Sequence, residues 1–177
     1  MKAMRFLAVA IIWSLSFIAS AASLTSAQTA TLKGAALADP VAATYITNGQ
    51  DQLLADWLNA NQPNYWVWRS VFTSDQARSA IMAGIAQLDN LTVSKRDSLL
   101  WVFSVNTVPS DPTVPASIDA LCGTQNTLKA ELQNAIRRTA TRAEKALASG
   151  AGTNIAPSTL GWEGVFDAAL ASTVRGY

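Results

Sequence analysis

Residues 127–149 read TLKAELQNAIRRTATRAEKALAS. Leu128, Leu132, Ile136, Ala140, Ala143 and Leu147 recur every three or four positions, the period of one face of an α-helix. Gly150 follows as a natural C-cap. The spacing predicts one long helix over 127–149, the longest element of the chain and the anchor of a mainly α fold. Lys129, Arg137, Arg138, Arg142 and Lys145 stand against Glu131 and Glu144 in this stretch, so the helix is basic. In a helix, Arg138, Arg142 and Lys145 fall at i, i+4 and i+7 on one face. Such a face suits an acidic neighbouring subunit or nucleic acid, and it equally suits simple solvation.

Working back from this segment, shorter helices are expected. Thr31 is placed to cap a helix from Leu32 to about Ala38. Asp39-Pro40 breaks the chain and opens a second helix that ends at Asn48-Gly49. Leu53, Leu54, Trp57 and Leu58 form an apolar stripe over 51–60. Asn61-Gln62-Pro63-Asn64 stops it, and Tyr65 to Val71 (YWVWRSV) is aromatic and β-branched, the mark of a short extended segment. Ser74 or Asp75 caps a helix over 76–88. Ser94 caps another, with Leu99, Leu100, Trp101 and Phe103 as its inner face. Pro109, Pro112 and Pro115 make 106–115 a loop, followed by a short helix over 118–121. Beyond Gly150 lie a Gly/Pro loop and a last short helix over 165–171. The expected fold is mainly α: a single domain of several short helices, one long C-terminal helix and a short extended aromatic segment.

The chain has 177 residues, no histidine, a single cysteine and a net charge of +1. Without histidine, a Ser-His-Asp triad, a Cys-His pair and the common zinc sites are ruled out. Carboxylates such as Asp51 and Asp56 show no spacing that promises an acid/base pair. Residues 148–153 (ASGAGT) follow a helix and lack a Lys-Ser/Thr pair, so they are no phosphate loop. Cys122 reads as a small buried residue at a helix end. No catalytic residue, cofactor or metal ligand is expected, and the expectation is a protein that is not an enzyme. Near-neutral charge argues against a surface that grips nucleic acid as a whole. Trp57, Trp66, Trp68, Trp101 and Trp162 read first as core-builders; Trp66 and Trp68, with Arg69 beside them, are also a candidate contact surface.

The N-terminus reads differently. Lys2 and Arg5 precede the apolar run Phe6 to Ile18, and Ala19-Ser20-Ala21 follows. Basic start, short apolar run and A-x-A site together describe a secretory signal. The expected organisation is therefore a hydrophobic signal-like leader over 1–23 and a single mainly helical domain over 24–177. A retained hydrophobic segment and a true start near Leu24 are the other two readings. Loss of Lys2 and Arg5 with the leader would take the net charge from +1 to −1.

Three blocks carry a resemblance. They are 31–40 (TLKGAALADP), Leu58-Asn59-Ala60 followed by Tyr65-Trp66-Val67-Trp68-Arg69, and 137–145 (RRTATRAEK) leading to Gly150-Ala151-Gly152-Thr153. Their order and spacing resemble small proteins encoded in the structural modules of tailed bacteriophages and prophages, over about residues 31–165. The resemblance implies a non-enzymatic virion component of the head, neck or head-to-tail connector, built as a ring of small helical subunits. Its partners would be neighbouring copies, other phage structural proteins and the path of packaged DNA. Trp66, Trp68, Arg69, Arg138, Arg142 and Lys145 are the candidate subunit or DNA contacts. Virions assemble in the cytoplasm, so the signal-like leader departs from the pattern. The alternative it supports is a secreted or periplasmic helical binding protein whose ligand surface is the Trp66–Trp68 region.

Overall fold

The computed structural model describes residues 23–177. The leader expected over 1–23 lies outside the described residues, its last position apart. Ten helices and two strands make up what is described, so the chain is mainly helical with a short extended aromatic segment, as expected. Among the described residues no helix is long and apolar enough to cross a membrane.

α1 (Ser26–Leu37) begins earlier than Thr31. Thr25 accepts from the Gln28 backbone N–H, and the Gln28 side chain accepts from Thr25, a closed capping box. α2 (Pro40–Thr47) starts as read: the Asp39 carboxylate accepts from Val41 and Ala42 N–H groups at 2.9 and 3.1 Å. α3 (Asp51–Asn59) buries Leu54, Ala55 and Leu58. The helix expected over 76–88 is two, α4 (Ser74–Ala83) and α5 (Ile85–Leu88), parted at Gly84. There the backbone of a later helix passes so close that a Cβ on Gly84 would sit 2.7 Å from Leu128 Cα. α6 (Val93–Val102) buries Leu99, with Phe103 behind it, and leaves Leu100 and Trp101 exposed. α7 (Thr113–Cys122) takes in Pro115, which a first helical turn tolerates, so the proline-rich loop is shorter than expected. The last helix, α10 (Ala168–Gly176), lies a few residues later than expected, behind an Asp167 cap.

The long helix over 127–149 does not form. α8 (Asn126–Ala135) ends, β2 (Arg137–Thr141) follows, and α9 (Arg142–Leu147) resumes. β2 pairs antiparallel with β1 (Asn61–Trp68), setting Trp66 opposite Thr139, Val67 opposite Arg138 and Trp68 opposite Arg137. The reason is legible in the residues. Thr139 and Thr141 are β-branched and favour extended backbone, and Thr141 with Glu144 closes a capping box that starts a new helix. The stretch Asn61–Asn64, expected to be a stop, is the start of β1. The far edge of β1 is covered by the Gly/Pro loop: Trp66 N–H donates to Gly152 at 2.8 Å, and Trp68 N–H to Ser158 at 3.0 Å. Neither edge of this strand is therefore free to pair with another chain.

Burial nonetheless follows the apolar spacing. Leu128, Leu132, Ile136, Ala140 and Ala143 are all buried. The first three join Phe72, Ile81, Leu99, Phe103 and Ile118 in one cluster built on α4–α8. Ala143 joins Leu32, Leu54, Leu58, Trp162, Phe166 and Val174 in a second, built on α1–α3, α9 and α10. The β1–β2 ribbon lies between the two stretches of chain that feed them.

Candidate functional site

The six expected contact residues do not form one surface. Because Arg138 is on a strand, it does not share a helical face with Arg142 and Lys145. Its guanidinium forks onto Glu144, both N–O distances being 2.7 Å, and reaches Glu163 at 2.8 Å. Glu144 is 2% exposed, and its Oε2 also accepts from the Thr141 N–H at 2.9 Å. Hydrogen bonds donated to Glu144 raise the Arg138 pKa still further above its ordinary value. Burial opposes ionisation of Glu163, but hydrogen bonds from Ser70 and Arg138, with Arg69 nearby, hold its carboxyl below the usual range. Arg138 is thus the centre of an internal ion network and is spent on holding the ribbon to α9.

Arg142 and Lys145 do come together. Arg142 lies over the Trp57 ring, 4.8 Å from its centroid, and Lys145 over Tyr65 at 5.5 Å. Both line an open cleft of about 470 Å³ with Asp39, Trp57, Gln62 and the end of α1. Lys145 reaches Gln62 Oε1 at 3.4 Å, and the Arg142 side chain has neither ion-pair nor hydrogen-bond partner among the described residues. Asp39 is the cleft's carboxylate. Backbone N–H donation from Ala42, followed by Val41, outweighs burial and holds it below its ordinary pKa; Trp57 and the Arg142 charge add to this. Trp57 Nε1 faces this carboxylate without closing a hydrogen bond. One carboxylate against two cations leaves the cleft positive.

The aromatic pair is half-buried. Trp68 packs on the first cluster, and Trp66 carries the Arg137 guanidinium 5.2 Å above its ring. Arg69 donates through Nε to the Ala135 carbonyl at 2.8 Å, holding the end of α8 against β1. It also edges a second open cleft, of about 530 Å³, between α4 and α8. That cleft presents Asp75 and Glu131, and neither carboxylate has an ion-pair partner among the described residues. Reading the sequence missed Asp75, Glu131 and Glu163, since no local motif marks them. The Thr141-x-x-Glu144 capping box, with β-branched Thr139 and Thr141, is the local signal that separates Arg138 from Arg142.

No family model, curated protein or solved structure matches this chain. What the arrangement can do is therefore argued from its chemistry. Among the described residues no three His, Cys, Asp or Glu side chains gather as a metal site would require. Cys122 is buried, and burial raises its thiol pKa, both of which disfavour the reactive thiolate. Trp57, Tyr65 and Trp66 each carry one of the chain's own cations over a ring face, so these rings hold charge in place. A third concavity, about 360 Å³ between α4–α5 and α6, is mostly apolar: Ile81, Met82, Ile85, Leu100 and Phe103 line it, with Ser74, Arg78 and Ser104 as its polar residues.

Proposed function

We propose that this protein is a non-enzymatic structural subunit of a tailed-phage particle, part of a ring at the neck or head-to-tail connector. The observation that carries this reading is the exposed apolar face of α4–α6. Met82 is 60% and Leu100 44% exposed along a mostly apolar groove edged by Ser74, Arg78 and Ser104, and Trp101, next to Leu100 in sequence, is 76% exposed. A contiguous face of large apolar side chains with an aromatic at its rim is what a protein neighbour covers. The resemblance to small phage structural-module proteins supplies the setting, and Arg142 and Lys145 supply charge for a neighbouring subunit or the path of DNA. Arg138 has no part in that contact, being engaged with Glu144 and Glu163.

A second reading is favoured by the signal-like leader: a secreted or periplasmic helical binding protein. Intact mass and N-terminal sequence of the protein from its natural source, with its co-purifying proteins, separate the two. An uncleaved chain, or one beginning near Leu24, found with capsid and tail proteins supports the structural role. A chain cut after Ala21 and recovered alone outside the cytoplasm overturns it.

A further inference from the structure

We propose that copies of this chain associate head to tail, the cationic cleft of Arg142 and Lys145 on one copy receiving the acidic α4–α8 face of Asp75 and Glu131 on the next. The two open clefts are of opposite sign: Arg142 and Lys145 outnumber Asp39 in one, and Asp75 and Glu131 outnumber Arg69 in the other. Each keeps a net single charge after its own opposing residue, Asp39 or Arg69, is counted. They sit on elements of different core clusters, α9 with α1–α3 and α4 with α8, so the contact joins two unlike surfaces. Repetition of such a contact makes a closed ring or a filament, according to the rotation between neighbours.

The chemistry fits a carboxylate partner. The Arg142 guanidinium is held in place by Trp57 and has its donors free, the geometry that takes a carboxylate through two parallel hydrogen bonds. Asp39 inside the cleft leaves a net single positive charge, matched to a carboxylate and poorly matched to a run of phosphates. Apolar side chains flank both sides: Leu37 and Val41, 51% and 54% exposed, adjoin Ala38 and Pro40 at the cationic rim, and Ala80, Ala83 and Ala135 line the acidic cleft. Charge then sets register, and the apolar rims supply the burial that a charge contact alone lacks.

The inference rests on the ring-subunit reading, and the test separates them. The full-length chain is studied by sedimentation and light scattering as wild type, as R142E/K145E, as D75K/E131K and as an equimolar mixture of the two variants. Circular dichroism confirms that each is folded. Each variant alone should associate about tenfold or more weakly than wild type, since like charges then face each other. The mixture should regain association, because every junction again pairs opposite signs. Association undiminished in either variant overturns this contact and leaves the ring reading standing. A wild-type chain that is monomeric yet binds a labelled DNA duplex, with binding lost in R142E/K145E, overturns it in favour of a nucleic-acid surface. The ring reading itself is decided separately, by whether the protein is found in particles.

Discussion

Replacement of Glu144 by alanine should be among the most damaging single changes in the chain. The carboxylate is 2% exposed, accepts two hydrogen bonds from Arg138 and a third from the Thr141 N–H. Removing one partner of a buried ion pair costs about 3–5 kcal/mol, because the surviving charge loses its compensation. Here the lower end applies: the Arg138 side chain is 23% exposed and still has Glu163 at 2.8 Å. Loss of the cap hydrogen bond adds about 1 kcal/mol, so Glu144→Ala should cost about 4 kcal/mol in all. With a urea dependence of about 2 kcal/mol per molar, the unfolding midpoint would fall by about 2 M, read by tryptophan fluorescence. Glu144→Gln keeps an acceptor for Thr141 and should cost about 1 kcal/mol less. Arg138→Met, which strands the buried carboxylate, should cost at least as much as Glu144→Ala. The double replacement R138M/E144M should cost far less than the two single changes summed, since apolar groups can fill the same space. A cost below about 1 kcal/mol for Glu144→Ala would refute the reasoning, since it would place the pair among ordinary surface ion pairs.

Other perturbations have equally definite outcomes. Gly84→Ala pushes a Cβ to 2.7 Å from the Leu128 backbone and should cost about 2 kcal/mol by overpacking, seen as a lowered Tm. Cys122, buried and with its thiol pKa raised by burial, should be inert to an aromatic disulfide reagent in the native state and titrate as one thiol in denaturant. The pH profile should be flat through neutrality, as the chain has no histidine. Below it, four carboxyls matter: Asp39, held down by backbone donation from Ala42; Asp51, held down by donation from Arg175; Asp111, held down by donation from Thr113; and Glu163, where Ser70 and Arg138 overcome burial. Their folded values lie below the ordinary 3.8 and 4.5, so the unfolded chain binds protons first as pH falls. Their stabilisation is complete above about pH 5 and is lost as pH drops through the folded values, which urea midpoints between pH 7 and 3 would show. A midpoint that fell between pH 7 and 6 would contradict this.

The stretch 127–149 shows what sequence can and cannot tell. Its apolar spacing correctly names the buried residues, because Ile136 and Ala140 point inward whether the backbone between them is helical or extended. It misleads on conformation, since the partner that makes 137–141 a strand lies some seventy residues earlier in β1. Strand formation depends on such non-local pairing more than on local preference. The consequence for the candidate site is larger than for the fold. Spacings of i, i+4 and i+7 share a face only in an unbroken helix, so Arg138 parts company with Arg142 and Lys145 once β2 intervenes. Caps are a mixed local signal: Asp39 caps α2 as read, whereas Thr25, Thr73 and Thr92 cap α1, α4 and α6 in place of Thr31, Ser74 or Asp75, and Ser94. Thr141 with Glu144 marks the start of α9. Asp75 and Glu131 were beyond reach, for only the packing of α4 on α8 brings them to one cleft.

A ring subunit must hold its two contact surfaces at a fixed angle, because a small error at each junction accumulates around the circle. If this chain is the ring subunit proposed above, its two contact surfaces belong to different clusters, and the β1–β2 ribbon with its ion network would be the joint between them. Val67, buried at the ribbon's centre, pairs with Arg138 on one side and Ser158 on the other. Arg138 ties β2 to α9, which bears the cationic cleft, while Arg69 ties β1 to the end of α8, which bears Glu131. The internal network and the external charges are thus adjacent in sequence but opposite in role. Weakening the joint without unfolding the chain, as Arg69→Leu should, would loosen the angle between clefts. That variant should still form pairs of subunits at low concentration but give a broad distribution of larger assemblies in mass photometry. A single sharp assembly, identical to wild type, would show that the joint does not set the angle.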